Sequence, residues 1–287
     1  MSDDLLRILF IGDIVGRPGR DLIRTGLERL VDHTGADLVI VNAENAAAGF
    51  GITREIGDRL LAGGVDVMTT GNHVWDRREA IDYIGTEPRL LRPANYPAGT
   101  PGNGSYLART AAGRPVGVIN VMGRVFMASL DDPFAVVTRE VEQLRPRTRV
   151  IVVDVHAEAT SEKLAMGRHL DGQVTAVLGT HTHVQTADDQ IFPGGTAYLT
   201  DVGMTGPHES IIGMATGPVL ERFRTGMPIK METATGRPRL NGVLITASEA
   251  TGRASSIVRL NLSADDLERG DLAAAIGGGV RAPAAQE

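Results

Sequence analysis

Cysteine is absent from the 287-residue chain. This absence excludes disulfide bonds, thiolate metal sites and cysteine nucleophiles. It also fits a reducing compartment, and we expect a cytoplasmic protein.

An excess of basic residues is missing as well. The chain has 29 Lys and Arg against 35 Asp and Glu, which gives a formal net charge of −6. Nucleic-acid-binding domains are usually basic, so we do not expect a nucleic acid partner, although a local basic patch would be compatible with this balance. The acidic balance does not exclude anionic small-molecule ligands, because bound metal ions reverse the local sign of the charge.

Long apolar runs are the third feature that the sequence lacks. No run is long enough to span a bilayer, and the first residues lack the basic start and apolar core of a signal peptide. We therefore expect no association with membranes. The hydrophobic share of 42% is nevertheless enough to build a core, which argues against a disordered chain.

Short apolar runs alternate with helical patterns in the first half of the chain, which predicts right-handed crossovers and a mostly parallel sheet. The later strands suggest a second sheet, so that two sheets pack as a sandwich with helices outside. The predicted strands are 5–11, 38–41, 65–69, 105–109, 116–122, 150–155, 174–178, 197–200, 242–247 and 256–262, and the predicted helices are 20–31, 55–61, 77–84, 134–144 and 161–170. No linker interrupts this pattern, so we predict one domain, 1–272, and a frayed tail, 273–287, rich in Ala, Gly and Pro.

Side chains that suit metal ions follow each of five predicted strands. They are Asp13, Glu44 with Asn45, Asn72 with His73, His156, and His181 with His183. Ligands of open α/β sheets collect at the carboxyl ends of strands, so these distant residues are predicted to meet at one rim. Because His181 and His183 are two apart, extended backbone would point both imidazoles to the same side.

Each motif alone has a purely structural explanation, since Asp or Asn after a strand often makes a turn or caps a helix. Their occurrence at five strand ends favours a metal site. Mixed carboxylate, amide and imidazole ligands suit Mn, Fe, Zn or similar divalent ions. Seven such ligands suit two ions that share a carboxylate. His33 and His169, in contrast, lie on helical patterns and are predicted to be surface residues.

A glycine-rich loop, 12–20, has some likeness to a phosphate cradle. It lacks both the Gly-Lys-Ser/Thr ending of a P-loop and the dinucleotide-binding fingerprint. Its glycines are therefore predicted to permit a tight turn into the helix. Arg17 and Arg20 in this loop are compatible with an anion site or with a solvated face.

The order of these motifs resembles the calcineurin-like metallophosphoesterases, and more closely their YmdB-like branch. The resemblance extends from residue 12 to about residue 206 and is carried by Gly12-Asp13-Ile14-Val15-Gly16-Arg17-Pro18-Gly19-Arg20, Asn42-Ala43-Glu44-Asn45, Gly71-Asn72-His73-Val74-Trp75-Asp76, Asp154-Val155-His156-Ala157-Glu158-Ala159-Thr160-Ser161-Glu162-Lys163 and Gly179-Thr180-His181-Thr182-His183. It implies a four-layer αββα sandwich of two mixed β-sheets flanked by helices.

The resemblance also implies two metal ions, with iron as the first expectation and manganese as the alternative. One ion would be held by Asp13, Glu44, Asn45 and His183, and the other by Glu44, Asn72, His156 and His181. Glu44 would bridge the two ions. His73 would lie beside them as the catalytic side chain.

Two positions depart from the wider superfamily. Val15 stands where the first motif usually has a His, and Glu44 stands where the bridging residue is usually Asp. Asn45 would fill the place of the missing His. Both departures agree with the YmdB-like branch and weaken any transfer of substrate from ordinary protein phosphatases or nucleotidases.

The implied activity is hydrolysis of 2′,3′-cyclic nucleotides to 3′-nucleotides by attack of a metal-bound hydroxide, with a cyclic nucleotide as the small-molecule partner. His73 would donate a proton to the leaving oxygen. A broader phosphomonoesterase or phosphodiesterase on the same centre is one alternative, and a metal-dependent nucleotide-sensing regulatory protein is another. An RNA-binding role is disfavoured by the acidic balance, and assembly into a homo-oligomer stays open.

Overall fold

Two β-sheets pack face to face, and helices cover their outer faces. The structure is a computed structural model that describes residues 5–269, 272 and 279–281. In chain order the described strands are β1 (Leu5–Ile11), β2 (Asp13–Ile14), β3 (Leu38–Asn42), β4 (Val67–Thr69), β5 (Ser105–Arg109), β6 (Pro115–Met122), β7 (Ile151–His156), β8 (Ala176–Thr180), β9 (Gln190–Ile191), β10 (Ala197–Leu199), β11 (Met204–Pro207), β12 (Pro238–Ser248), β13 (Ala254–Ser263) and β14 (Val280–Arg281). The described helices are α1 (Gly16–Thr34), α2 (Arg54–Ala62), α3 (Glu79–Ile84), α4 (Pro133–Leu144), α5 (Thr160–His169), α6 (Thr216–Thr225) and α7 (Ala264–Arg269).

The first sheet has the strand order β14-β13-β12-β1-β3-β4, with β11 attached to β12 and β2 attached to β11. Strands β1, β3 and β4 run parallel, whereas β12 is antiparallel to both β1 and β13. The mostly parallel sheet predicted from the first half of the chain is therefore completed by late antiparallel strands. This sheet is mixed.

The second sheet has the order β5-β6-β7-β8-β10-β9. Strands β6, β7, β8 and β10 are parallel, and β5 and β9 pair antiparallel at the two edges. The prediction of a four-layer αββα sandwich of two mixed sheets is confirmed. Parallel strands at the centre of both sheets place several carboxyl ends at one rim of the molecule.

Three apolar layers hold the four layers of secondary structure together. Phe10 and Ile40 of the first sheet meet Val118 and Val152 of the second sheet between the sheets. A second cluster lies between the first sheet and helices α1 and α2, and a third lies between the second sheet and helices α4 and α5. The near-continuous apolar runs of β3, β7 and β8 arise because both faces of these strands are buried.

Local signals position the helices that face the rim. At the start of α4, the Asp132 carboxylate accepts a hydrogen bond from the Phe134 backbone N–H at 3.1 Å, and Pro133 occupies the first turn, as predicted. Gly16, at the start of α1, has a φ of +58°, which glycine adopts without steric cost. The glycine-rich loop therefore serves as a turn into α1, in agreement with the prediction.

Most of the predicted tail, 273–287, lies outside the described residues. Within it Val280–Arg281 forms strand β14 against β13. The single domain predicted for 1–272 stays a prediction. None of the helices in the described ranges is long and apolar enough to cross a membrane.

Candidate metal centre

All seven predicted ligands lie together at the rim where the carboxyl ends of both sheets meet. Asp13 belongs to β2, which follows β1, and Glu44 and Asn45 follow β3. The remaining ligands lie after β4, at the end of β7 and after β8, and they are Asn72, His156, His181 and His183. Each is fully or partly buried, so the rim holds a cluster of buried polar side chains.

One group of predicted ligands surrounds the Nε2 atom of His156. This nitrogen lies 2.8 Å from Asn72 Oδ1, 3.1 Å from Glu44 Oε1 and 3.1 Å from His181 Nδ1. One atom each of Glu44, His156 and His181 lie within 4.8 Å of one another, a spacing that suits a common metal ion. A single proton on Nε2 cannot satisfy three lone pairs, whereas a cation at their centre would.

A second group comprises Asp13, Asn45 and His183. The Nε2 atom of His183 lies 3.1 Å from the Asn45 amide nitrogen and 3.8 Å from Asp13 Oδ1. Rotation of the Asn45 amide by 180° would present its oxygen to the same space. The Asn45 amide also donates to Glu44 Oε1 at 3.2 Å, so Glu44 lies between the two groups.

Asp13 provides the clearest sign that a cation belongs here. Its Oδ1 atom is fully buried and has no hydrogen-bond donor among the described residues. A buried carboxylate oxygen without a donor is costly, because water no longer solvates it. A positive ion beside Asp13 and His183 would remove that cost.

The two deepest imidazoles are oriented by hydrogen bonds on their far sides. His156 Nδ1 donates to Thr180 Oγ1 at 2.9 Å, because that hydroxyl itself donates to Asp154 Oδ1 at 2.7 Å. His183 Nδ1 donates to the Ile212 carbonyl at 2.9 Å. Both rings therefore turn their Nε2 atom toward the cluster, as metal-ligating histidines do.

Burial and neighbouring charges shift the pKa values of the side chains in this cluster. Burial raises the pKa of Glu44, but the charge and hydrogen bond of His156 outweigh it and lower this pKa to about 2. Burial and the charge of His156 lower the pKa of His181 to about 3, so its imidazole is neutral at neutral pH. Burial raises the pKa of Asp13. Burial lowers the pKa of His156, but Glu44 outweighs it and raises this pKa to about 9, so a cation would displace that proton.

The loop that carries His181 and His183 is not extended, and the expectation that both rings share one side through extended backbone was wrong. The φ angles are +99° at His181 and +64° at His183, in a region that residues other than glycine seldom adopt. The two rings consequently reach different groups, His156 for His181 and Asp13 for His183. Such strain persists where surrounding contacts fix the backbone.

A buried ion pair fixes this loop. Lys163 Nζ donates to Asp201 Oδ2 at 2.7 Å, and both side chains are fully buried. The same carboxylate oxygen accepts from the backbone N–H and the hydroxyl of Thr182, at 3.1 and 2.7 Å. Thr182 lies between the two histidines, so the ion pair sets the path of the backbone that presents them.

His73 lies beside the cluster. Its backbone N–H donates to Glu44 Oε2 at 3.1 Å, while its Nδ1 lies 2.7 Å from Asp76 Oδ2. The Phe50 ring packs against its imidazole edge to face at 5.1 Å. The side chain is 29% exposed, so one ring edge is open toward solvent.

Gly71 allows this part of the rim to close. A Cβ atom at Gly71 would lie 2.1 Å from the His156 ring, so no other residue fits there.

His33 and His169, predicted to be surface residues, are both exposed and lie away from the rim. Arg20 donates to the Ala46 carbonyl, and Arg17 is exposed beside Asp21, so neither reaches the cluster.

Sequence reasoning missed the residues that support the ligands. Asp154 accepts hydrogen bonds from Thr69, Thr180 and Asn42, all of them buried. A signal was present, because Asn42 and Asp154 interrupt apolar strands that are buried on both faces. Lys163 and Asp201 gave no comparable signal, since a lysine in a helical pattern usually faces solvent.

The fold and this cluster define a class of protein, the metallophosphoesterases, in which two packed sheets hold metal-binding side chains at their strand ends. Comparison with known proteins then gives the family. The sequence profile of the YmdB-like proteins matches residues 9–260. The chain belongs to the YmdB-like protein family, and the resemblance inferred from its motifs is confirmed.

Relatives of known name or structure cover nearly the whole chain. A Bacillus subtilis (strain 168) protein named 2′,3′-cyclic-nucleotide 2′-phosphodiesterase is 47% identical over 262 residues, which are 91% of this chain and 99% of that protein. A solved Mycoplasma pneumoniae structure described as a novel phosphatase has a TM-score of 0.85 and 33% identity, covering 90% of this chain and 94% of that one. A hypothetical protein from Thermus thermophilus has a TM-score of 0.84 and 42% identity, covering 90% and 99%. The predicted enzyme class, a hydrolase resembling 2′,3′-cyclic-nucleotide 2′-phosphodiesterases, is confirmed by the Bacillus subtilis relative and the family match.

Proposed function

We propose that this protein is a dinuclear-metal phosphodiesterase that hydrolyses 2′,3′-cyclic nucleotides to 3′-nucleotides. The observation that carries the proposal is the rim cluster, in which Glu44 lies between two groups of buried ligands. The name of the Bacillus subtilis relative supports the substrate class.

The proposed ligands divide as the two groups do. Asp13, Asn45 and His183 would hold one ion, Asn72, His156 and His181 would hold the other, and Glu44 would bridge them. Iron is the proposed metal, with manganese as the alternative, because carboxylate, amide and imidazole ligands suit both. When bound, two such ions offset the phosphodiester charge and let water act as a nucleophile near neutral pH.

The protein's own residues supply orientation and a proton. The buried carboxylates of Asp13 and Glu44 would supply the negative charge that holds the ions. Asp76 accepts from His73 Nδ1–H, which orients the ring with Nε2 at its open edge. A protonated His73 would donate from Nε2 to the 2′ oxygen as its bond to phosphorus breaks, which leaves a 3′-nucleotide.

The direct test is product analysis on metal-reconstituted protein. Initial rates are measured on 2′,3′-cyclic AMP, 3′,5′-cyclic AMP and nitrophenyl phosphate, and the adenosine products are separated by chromatography. We expect the highest kcat/KM on 2′,3′-cyclic AMP and adenosine 3′-phosphate as the product.

Two outcomes would favour the alternative functions. Comparable rates on all three substrates would indicate a broader phosphoesterase on the same centre. Metal-loaded protein that binds nucleotide yet turns over none of the substrates would indicate a nucleotide sensor.

A further inference from the structure

A cavity of about 510 Å³ opens beside the metal centre. Its volume lies within the range of roughly 300–1,000 Å³ that small-molecule sites occupy. At its polar end it is lined by Glu44, His181 and His183. The same space therefore reaches the proposed phosphoryl site directly.

Most of the remaining lining of this cavity is apolar, although Arg222 also contributes to it. Its apolar residues, which we call the apolar wall, include Phe50, Ile212, Met214, Val219 and Phe223. The flap that carries these last four residues, residues 208–233, is tied to the centre because the Ile212 carbonyl accepts the hydrogen bond from His183.

Phe223 is the unusual member of this wall. It is 77% exposed although it is a large apolar side chain, and Ile212 beside the same cavity is 52% exposed. An exposed apolar patch that adjoins a polar cleft commonly marks a ligand-binding groove. The matching ligand carries an anionic phosphoryl group at one end and a flat apolar group at the other.

We propose that this apolar wall, with Phe223 as its aromatic platform, is the subsite that takes the base of a nucleotide whose phosphoryl group lies at the metal centre. The proposal deepens the proposed function and rests on it for the position of the phosphoryl group. Bases stack on aromatic side chains whatever their hydrogen-bonding pattern, so the wall favours nucleotides over base-free sugar phosphates and tolerates different bases.

The test compares a nucleotide with a matched substrate that has no base. Wild-type and Phe223→Ala proteins, both metal-reconstituted, are assayed on 2′,3′-cyclic AMP and on methyl riboside 2,3-cyclic phosphate. We expect wild type to favour cyclic AMP in kcat/KM, and Phe223→Ala to reduce this preference by about 5- to 150-fold, the effect of losing one base–aromatic stack. Phe223→Trp keeps an aromatic ring and should retain the preference.

A matched control is available in Phe126→Ala. Phe126 is 90% exposed and is absent from the described lining of this cavity, so its loss should leave the preference unchanged. A wild-type enzyme without preference between the two substrates would overturn the proposal. An equal fall on both substrates in Phe223→Ala would also overturn it, because the ring would then act on the structure of the flap.

Binding measurements separate this proposal from the proposed function. Calorimetry compares adenosine 3′-phosphate with ribose 3-phosphate on metal-reconstituted protein, and neither ligand requires turnover. Tighter binding of the nucleotide that disappears in Phe223→Ala would support the subsite even if no substrate were hydrolysed. If Phe223→Ala instead lowers the mass in sedimentation and leaves base discrimination intact, a second copy of the chain covers this wall and the proposal is wrong.

Discussion

At the scale of single residues, His73 lies close to the proposed metal centre but is not one of the proposed metal ligands. Its backbone contacts Glu44, its Nδ1 contacts Asp76, and one edge of its ring is open. These contacts suit a side chain that delivers a proton to a leaving group and is itself oriented by a carboxylate.

We predict that His73→Ala keeps both metal ions and loses most activity on 2′,3′-cyclic nucleotides. The expected loss is about 10²–10⁴-fold, the usual contribution of general acid catalysis. Activity on bis-nitrophenyl phosphate should fall much less, because nitrophenolate leaves readily as an anion. Parallel rates on protein of verified metal content provide the measurement, and equal losses on both substrates would mean that His73 only binds the phosphoryl group.

Two exposed histidines of the chain can serve as controls for the histidines of the cluster. His181→Ala and His183→Ala each remove an imidazole from the cluster and should abolish most activity and reduce bound metal. His33→Ala and His169→Ala change exposed side chains and should alter the free energy of unfolding by no more than about 0.5 kcal/mol. Assays and elemental analysis on the four variants check this, and equal damage from all four would contradict the assignment of the cluster.

At the scale of elements, the Lys163–Asp201 ion pair joins helix α5 to the segment after β10, and Asp201 in turn contacts Thr182 in the loop after β8. Lys163→Met leaves Asp201 buried without its charge partner, and this should lower the free energy of unfolding by about 3–5 kcal/mol. Because Asp201 also holds Thr182, bound metal should decrease as well. Thermal unfolding and elemental analysis measure both effects.

A matched control exists in Lys230→Met, since the Lys230 side chain is 88% exposed. Adding Asp201→Asn to Lys163→Met removes the unpaired charge and should restore part of the stability. Identical stability and metal content in Lys163→Met and Lys230→Met would show that the ion pair does not hold the loop.

The helices and strands show how far the sequence predicts the fold. Each helix that it predicts forms, with end residues that shift by up to four positions, because periodic apolar residues are buried where the pattern places them. Helix α6 escaped prediction because Gly217 and Pro218 stand in its first turn and Val219 is its one buried apolar residue. The short strands β2, β9 and β11 escaped because they are too brief to show a period.

The sequence predicted which residues meet at the candidate site, but it did not predict their geometry. Polar residues at the ends of apolar strands can be read from the sequence, since strand direction fixes the rim at which they meet. The left-handed backbone at His181 and His183 depends on Asp201, which is distant in sequence. The ring orientations of His156 and His183 likewise depend on Thr180 and on the Ile212 carbonyl.

At the scale of the whole molecule, the centre joins the two sheets. Asp13, Glu44 and Asn72 come from the first sheet, whereas His156 and His181 come from the second. A cation at this rim therefore binds the folded protein and has no comparable site in the unfolded chain. Binding of this kind stabilises the fold in proportion to the logarithm of the free metal concentration.

We predict that chelation lowers the melting temperature by several degrees. Metal at about 100 times its Kd contributes roughly 2.7 kcal/mol, and about 2–4 °C accompanies each kcal/mol in chains of this order of length. Scanning calorimetry with and without a chelator measures the shift, and restoring the metal should reverse it. A melting temperature that changes neither on chelation nor on restoring the metal would contradict a metal site that bridges the sheets.

Glu44 is the residue on which the proposed centre depends, because it lies between the two groups of ligands and is fully buried. Glu44→Gln keeps the size of the side chain and removes the one charge common to both proposed ions. Elemental analysis of reconstituted protein is the most direct measurement, with Glu55→Gln, whose side chain is 72% exposed, as the control. We predict two ions per chain in wild type and in Glu55→Gln and loss from both positions in Glu44→Gln, whereas two ions retained in Glu44→Gln with full activity would contradict the bridged centre.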